Sequence, residues 1–189
     1  MPVCGGGFGP RARSCVWSCL GTVLLSSLLV GACAHTPPAP TTCEQPPPFV
    51  LHLDASKRLN ADDVGRSLPT NVQVFQLKGS RRMEAADFQD LWQRPKEVLE
   101  DDLLAMDEFT LEPGQQLTRE VSRTSGASYL AVVGVFRRPA GQVWRAVERL
   151  PQVKPEDCDP AKQTAARDAS MRFLIEDYRV EARSSEVRR

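Results

Sequence analysis

The chain of 189 residues contains 24 basic and 24 acidic residues, so its formal net charge is zero. This balance lacks the basic excess that displaces counterions from nucleic acid, and it predicts no nucleic-acid partner. Residues 1–32 hold two of the basic residues and none of the acidic ones, so the remaining 157 residues carry a net charge of −2. These 157 residues are enough to form one domain in addition to a linker.

The first 32 residues have the pattern of a lipoprotein signal peptide. Arg11 and Arg13 supply the basic region, and the apolar run VWSCLGTVLLSSLLV follows over residues 16–30. This run is shorter than the roughly 20 apolar residues that span a bilayer, although an uncleaved anchor stays open as the alternative. The motif Val-Gly-Ala-Cys that ends at Cys33 is similar to a lipobox. We therefore predict that Cys33 is lipidated. Two or three acyl chains on this cysteine would hold the protein durably to a membrane.

A proline-rich tether is predicted over residues 33–48, which read CAHTPPAPTTCEQPPP. Such composition favours an extended, polyproline-like spacer. Once the signal peptide is removed and Cys33 is acylated, the remaining cysteines are Cys43 and Cys158, and in an oxidising periplasm we predict a disulfide between them. Closing a loop of about 100 residues contributes roughly 4–5 kcal/mol in the chain-entropy model. Two unpaired thiols are the alternative, and no metal site is expected.

Residues 49–183 are predicted to form a β-sandwich domain, and residues 184–189 a frayed C-terminal tail. Alternating or near-continuous apolar residues between turn signals predict short strands. Residues 55–70 are predicted to be a loop between the first two strands. The predicted strands are FVLHLD at 49–54, NVQVFQLKG at 71–79, EFTLEPGQ at 108–115, SYLAVVGVFRR at 128–138, VWRAVERL at 143–150 and MRFLIEDYRVEA at 171–182.

One helical insertion interrupts these strands. Asp87 can cap the segment FQDLWQR, and Pro95 can open a second turn, PKEVLEDDLL, whose apolar residues include Leu103 and Leu104. Trp92 and Trp144 are predicted to lie in the core. Several short strands with one helical insertion predict a mainly β, two-sheet sandwich.

No catalytic constellation is evident in the sequence. Of the two histidines, His35 lies in the tether and His52 lies within a strand, where we interpret it as structural. No G-x-S-x-G motif is present, and the acidic clusters at 100–102 and 156–159 lack the spacing of a calcium loop. We predict that the protein is not an enzyme and that it has no cofactor and no metal site.

The segment LHLDASKRLNADDVGRSLPTNVQVFQLKG, residues 51–79, resembles the TssJ (VasD/SciN) family of outer-membrane lipoproteins of type VI secretion. The shared pattern is a strand, a loop of the type Asn-x-Asp-x-x-Gly-Arg-Ser, and a strand that ends in Val-Phe-Gln-Leu. The resemblance continues through FQDLWQRPKEVLEDDLL, the LEPG turn and YLAVVGVFRR, over about residues 49–150. The residues after Leu150, with Cys158, lie outside this pattern.

The resemblance implies a transthyretin-like two-sheet β-sandwich with a short helical insertion. It also implies that the protein anchors the type VI secretion membrane complex to the periplasmic face of the outer membrane. The implied partners are the periplasmic C-terminal region of TssM, TssL as a further member of the complex, and outer-membrane lipid through acylated Cys33. Ala34 follows that cysteine and lacks the aspartate that is associated with inner-membrane retention.

In this family the loop between the first two strands is implicated in the contact with TssM, which here corresponds to residues 57–68. Its charged side chains can steer a partner, and its apolar side chains can anchor one. The alternative is that the apolar side chains fold inward and only fasten the loop. Gly65 is expected to supply a positive φ at a turn. The candidate contact residues are Lys57, Arg58, Leu59, Asn60, Asp62, Asp63, Val64, Arg66 and Leu68.

Two other functions stay open from the sequence. A periplasmic ligand-binding or hydrolytic lipoprotein would have a concave pocket lined by aromatic residues, into which His52 could contribute. A pilot lipoprotein of a different secretion apparatus would share the lipid anchor and the sandwich.

Overall fold

Two four-stranded sheets form the framework of the protein in the computed structural model, which describes residues 44, 46–159 and 169–183. The strands are β1 (Phe49–Leu59), β2 (Thr70–Leu77), β3 (Leu103–Leu111), β4 (Gln116–Val121), β5 (Tyr129–Val135), β6 (Arg145–Arg149), β7 (Ser170–Asp177) and β8 (Arg179–Arg183). The first sheet has the order β4-β1-β7-β8, and the second has the order β3-β2-β5-β6. The predicted two-sheet sandwich is confirmed.

Strand β1 is one of the two central strands of the first sheet. It pairs antiparallel with β4 and parallel with β7, and the residues Phe49, Leu51, Leu53 and Ala55 point into the core. The strand continues to Leu59, beyond the predicted end at residue 54. Residues 56–58 are polar, so the sequence does not predict this extension. The strand continues because β1 pairs with β7 as far as Asp177.

Strand β5 is buried on both faces, as its continuous apolar sequence predicts. Residues 130–133 are fully buried. The helical insertion is held to the same sheet by Arg145 of β6, whose guanidinium donates to the carbonyl oxygens of Ala86, at 2.8 Å, and of Glu84. Burial lowers the pKa of Arg145, although the nearby Glu84 carboxylate opposes this effect.

The insertion consists of α1 (Arg81–Ala85), α2 (Phe88–Gln93), α3 (Pro95–Leu99) and a 3₁₀ turn at Glu100–Asp102. The Asp87 side chain accepts a hydrogen bond from the Gln89 backbone N–H at 2.9 Å, so the predicted cap is confirmed. The prediction that Leu103 and Leu104 belong to this helix is wrong. Glu100 has a φ of 47°, which ends the helix, and β3 begins at Leu103.

The two tryptophans of this region differ in exposure. Trp144 is 2% exposed, which confirms its place in the core, and the Phe88 ring packs edge-on against it with the ring centroids 5.2 Å apart. Trp92 is 46% exposed, so the prediction that it is a core residue is wrong. Trp92 stacks on the Phe88 ring at 6.3 Å and reaches solvent on its other side.

The last predicted strand is divided into the hairpin β7–β8. Asp177 has a φ of 48°, and this left-handed residue makes the tight turn. The Val180 backbone N–H donates to the Val143 carbonyl at 2.8 Å, which ties β8 to the residues that precede β6. Over residues 46–159 and 169–183, no helix has the length and apolar character needed to cross a membrane.

Candidate partner-binding loop

The β1–β2 loop, residues 60–69, is fastened to the sandwich at both ends. The Asn60 backbone N–H donates to the Asp177 carbonyl at 2.7 Å, and the Asn60 side-chain oxygen accepts from the Arg137 backbone N–H at 2.9 Å. At the other end, the Leu68 N–H donates to the Leu59 carbonyl at 3.0 Å. Asn60 has a φ of 47°, which an asparagine tolerates better than most residues.

Inside the loop, the Asp62 carboxylate organises a turn. One of its oxygens accepts from the backbone N–H groups of Val64, at 3.0 Å, and Arg66, at 2.8 Å, and the other accepts from the Arg66 guanidinium at 2.8 Å. The bond from the Arg66 backbone N–H is the main reason why the pKa of Asp62 is lowered. Gly65 has a φ of 82°, so the predicted positive φ is confirmed.

Neighbouring segments hold the loop from outside. The Asp63 carboxylate forms an ion pair with Arg138 and lies 3.8 Å from the Arg137 guanidinium. The Tyr178 hydroxyl donates to the Ala61 carbonyl. The loop is therefore held in one conformation by contacts to the β5–β6 connection and to the β7–β8 turn, which lowers the entropy lost when a partner binds.

The predicted contact residues divide into three groups. Leu59 and Asn60 are buried, because Leu59 packs in the core and Asn60 bonds to two neighbouring segments. We therefore remove these two residues from the contact surface. The half-buried residues are Asp62 and Leu68, and the exposed ones are Lys57, Arg58, Asp63, Val64 and Arg66.

Val64 is the most exposed large apolar residue of the described part of the chain, at 75%. It stands at the tip of the loop between the Asp63 ion pair and the Arg66–Asp62 ion pair. An exposed apolar residue that is flanked in the chain by ion-paired residues of both signs has the chemistry of an interface anchor with a polar rim.

Residues outside the predicted segment also belong to this site. Arg137 and Arg138 follow β5 and were predicted only as the end of a strand, while Tyr178 was assigned to the last strand. Their contribution depends on contacts between residues more than 70 positions apart in the sequence. The two adjacent arginines directly after a buried strand are the one local signal that could have indicated a surface charge cluster.

Replacing Asp62 with asparagine is expected to loosen the loop without unfolding the domain. Because the folded pKa of Asp62 lies below its ordinary value of 3.8, the carboxylate stabilises the loop at pH values above about 4 and loses this effect as the pH falls through the lowered pKa. At pH 7 the Arg66 amide should exchange hydrogen about tenfold faster in Asp62→Asn than in the native protein.

Amide exchange at matched pH values tests this prediction. The difference between the two proteins should shrink as the pH is lowered below 3.8. Exchange of the core amides in β5 serves as the control and should be the same in both proteins. Equal Arg66 exchange at neutral pH would show that the carboxylate does not hold the turn.

The features expected of a ligand-binding or hydrolytic protein lie apart from one another. The His52 Nδ1 is 3.0 Å from the Thr118 hydroxyl across the β1–β4 ladder. A cavity of about 270 Å³ lies where the tether enters β1, and Phe49 is its single aromatic lining residue. Its lining does not include His52. Within the described residues, no group of three or more histidine, cysteine or acidic side chains is placed to bind a metal ion.

Of the cysteines that the sequence singles out, only Cys158 lies in the described part of the chain. It ends the 3₁₀ turn Pro155–Cys158 and is disulfide-bonded. Cys33, Cys43 and the predicted signal peptide lie outside the described residues, as does the predicted tail at 184–189. The lipidation of Cys33 and the pairing of Cys43 with Cys158 therefore stay predictions.

Comparison with known families and structures supports the sequence resemblance. Residues 47–176 match a family model described as "Type VI secretion lipoprotein, VasD, EvfM, TssJ, VC_A0113". A comparison with curated protein sequences gives no significant match.

Several solved structures share the fold, among them the three that follow. The T6SS lipoprotein TssJ1 from Pseudomonas aeruginosa is 23% identical, with a TM-score of 0.60, and the match covers 74% of this chain and 98% of that chain. A chain of a type VI membrane complex is 22% identical, with a TM-score of 0.61 and coverage of 74% and 100%. A chain of a structure described as the T6SS protein TssM C-terminal domain from EAEC is 20% identical, with a TM-score of 0.59 and coverage of 73% and 98%.

Proposed function

This chain belongs to the type VI secretion lipoprotein family of VasD, EvfM and TssJ, and from that membership we propose that it anchors a type VI secretion membrane complex to the outer membrane by binding the periplasmic C-terminal region of TssM. Two of the structures that share its fold are described as a type VI membrane complex and as a TssM C-terminal domain. Proteins of this family are components of a membrane complex and are not known as enzymes.

The exposure of Val64 at the tip of a fastened loop is the observation that carries the proposed contact. A loop that is already held in its binding conformation loses little conformational entropy when a partner binds, so more of the contact energy appears as affinity. The surrounding charges of Arg58, Asp63 and Arg66 then guide the encounter and select the partner.

The remaining parts of the proposed mechanism concern the N-terminal region. Residues 1–32 act as a signal peptide, acylated Cys33 holds the protein in the outer membrane, and residues 33–48 set the distance between bilayer and domain. A disulfide between Cys43 and Cys158 joins the end of this tether to the C-terminal third of the chain. TssL is a further member of the same complex.

Binding of the protein to the periplasmic C-terminal region of TssM tests the proposal. We expect measurable affinity for the native protein in calorimetric titration and about tenfold weaker binding for Arg66→Glu, because reversing a rim charge slows association and disturbs the pair with Asp62. Arg81→Glu is the matched control, since Arg81 is exposed on α1 and forms no ion pair within the described residues.

The two possible failures have different meanings. Absence of binding by the native protein would contradict the function. Binding that is native-like for Arg66→Glu, or equally weakened for Arg81→Glu, would contradict the assignment of the contact to the β1–β2 loop.

A further inference from the structure

The two sheets have four edge strands, and three of them are shortened or occupied. Strands β6 and β8 have five residues each, and the Val180 backbone N–H of β8 donates to the carbonyl of Val143, which precedes β6, at 2.8 Å. Strand β4 has six residues, and the Arg119 guanidinium donates to the Thr118 carbonyl at 3.2 Å. These are the usual ways in which a protein protects a sheet edge from pairing with other chains.

Strand β3 is the exception. It has nine residues and pairs with β2 along one side only. Within the described part of the chain, the backbone groups of residues 104–110 make no hydrogen bond other than those to β2. Since every second residue of an antiparallel edge strand directs its N–H and C=O outward, β3 presents a row of free donors and acceptors.

The side chains along this edge are acidic and partly apolar. Asp107 and Glu108 are exposed and, as neighbours in a strand, lie on opposite faces of the sheet. Leu104, Met106 and Phe109 are half-buried and pack against the core, so part of each is available to a neighbouring strand. Strand β3 contains two acidic residues and no basic one. The 3₁₀ turn before it adds three more acidic residues, and Arg82 forms ion pairs with two of these, Glu100 and Asp102.

We propose that the β3 edge is a second binding surface of this protein, which accepts an extended, basic segment of another polypeptide as an added strand. The outward backbone groups would supply the hydrogen bonds, and the acidic side chains would select lysine or arginine on the incoming strand. A second copy of this chain does not fit, because pairing β3 with β3 places acidic side chains against one another. This surface is separate from the β1–β2 loop, and the proposal does not depend on the TssM contact.

The test uses the full-length protein, purified from membranes in detergent, and two acetylated, amidated model peptides. One has two lysines between Val-Thr-Val and Val-Thr-Val flanks, and the other has two glutamates in the same places. We expect the lysine peptide to slow amide exchange in residues 103–111 and the glutamate peptide to leave it unchanged. Asp107→Lys should weaken the binding of the lysine peptide about threefold to tenfold. Glu120→Lys, the same change on the β4 edge, should alter its affinity less than about twofold.

Each other outcome overturns the proposal. No protection by either peptide excludes β3 as an accepting edge, and equal protection by both excludes selection for basic segments. Protection confined to residues 116–121 would assign the open edge to β4. The comparison of the two peptides on the native protein decides the question even if Asp107→Lys does not fold.

Discussion

Replacing Phe173 with alanine is expected to lower the free energy of unfolding by about 3–5 kcal/mol. Phe173 lies at the centre of β7, is fully buried, and stands opposite Leu53 of β1 and Ala182 of β8. Its removal leaves a cavity between the two sheets that the close-packed strands cannot fill by small movements. The loss is a large share of the roughly 5–15 kcal/mol that stabilises a typical domain.

Equilibrium unfolding in urea measures this effect. Leu174→Ala is the matched control, because Leu174 is the next residue of the same strand, faces the opposite side and is half-buried. We expect this control to lose about 1–2 kcal/mol. An equal loss for both variants would show that the core does not lie on the face of β7 that Phe173 occupies.

Replacing Val64 with aspartate should weaken binding to the TssM periplasmic region about 30-fold or more, the effect expected of an interface anchor. The substitution removes the apolar contact and adds a third carboxylate beside Asp62 and Asp63. Because the Val64 side chain is 75% exposed, the stability of the domain should change little. Biosensor measurements with immobilised TssM region give the affinity, and thermal unfolding gives the stability.

Val143→Asp is the control for this substitution, since Val143 is another exposed valine, at 51%, that lies outside the β1–β2 loop. It should bind as the native protein does. Val64→Ser separates the two causes, because it removes the apolar contact without adding a charge. It should show part of the loss of affinity that Val64→Asp shows. If Val64→Asp binds normally, the tip of the loop is not part of the interface.

Sequence reasoning was successful where a local pattern reports directly on structure. The alternation in residues 49–54 and the continuous apolar run of β5 predicted a half-buried strand and a doubly buried one. The cap at Asp87 and the positive φ at Gly65 were predicted because single residue types satisfy these backbone positions. The order of motifs between residues 51 and 138 was specific enough to identify the family.

It was less successful where distant segments decide the outcome. Trp92 stacks on Phe88 and is still 46% exposed, because helical periodicity places residues on one face but does not show which of them the rest of the domain covers. The break between β7 and β8 leaves the alternating pattern intact, because the hairpin turn at Asp177 needs only one left-handed residue. β4 and α1 were missed, since their sequences are short and mostly polar.

The sequence by itself determined the family, the two-sheet class of fold, and the segment in which the candidate partner-binding loop lies, because periodicity and motif order are local properties of the chain. Only the tertiary structure decided which loop residues are available. Leu59 and Val64 are both apolar and five positions apart, yet Leu59 is buried in the core and Val64 is exposed in the loop. The difference arises from the bonds that Asn60 makes to Asp177 and Arg137, which turn the chain outward after Leu59 and which no local pattern encodes.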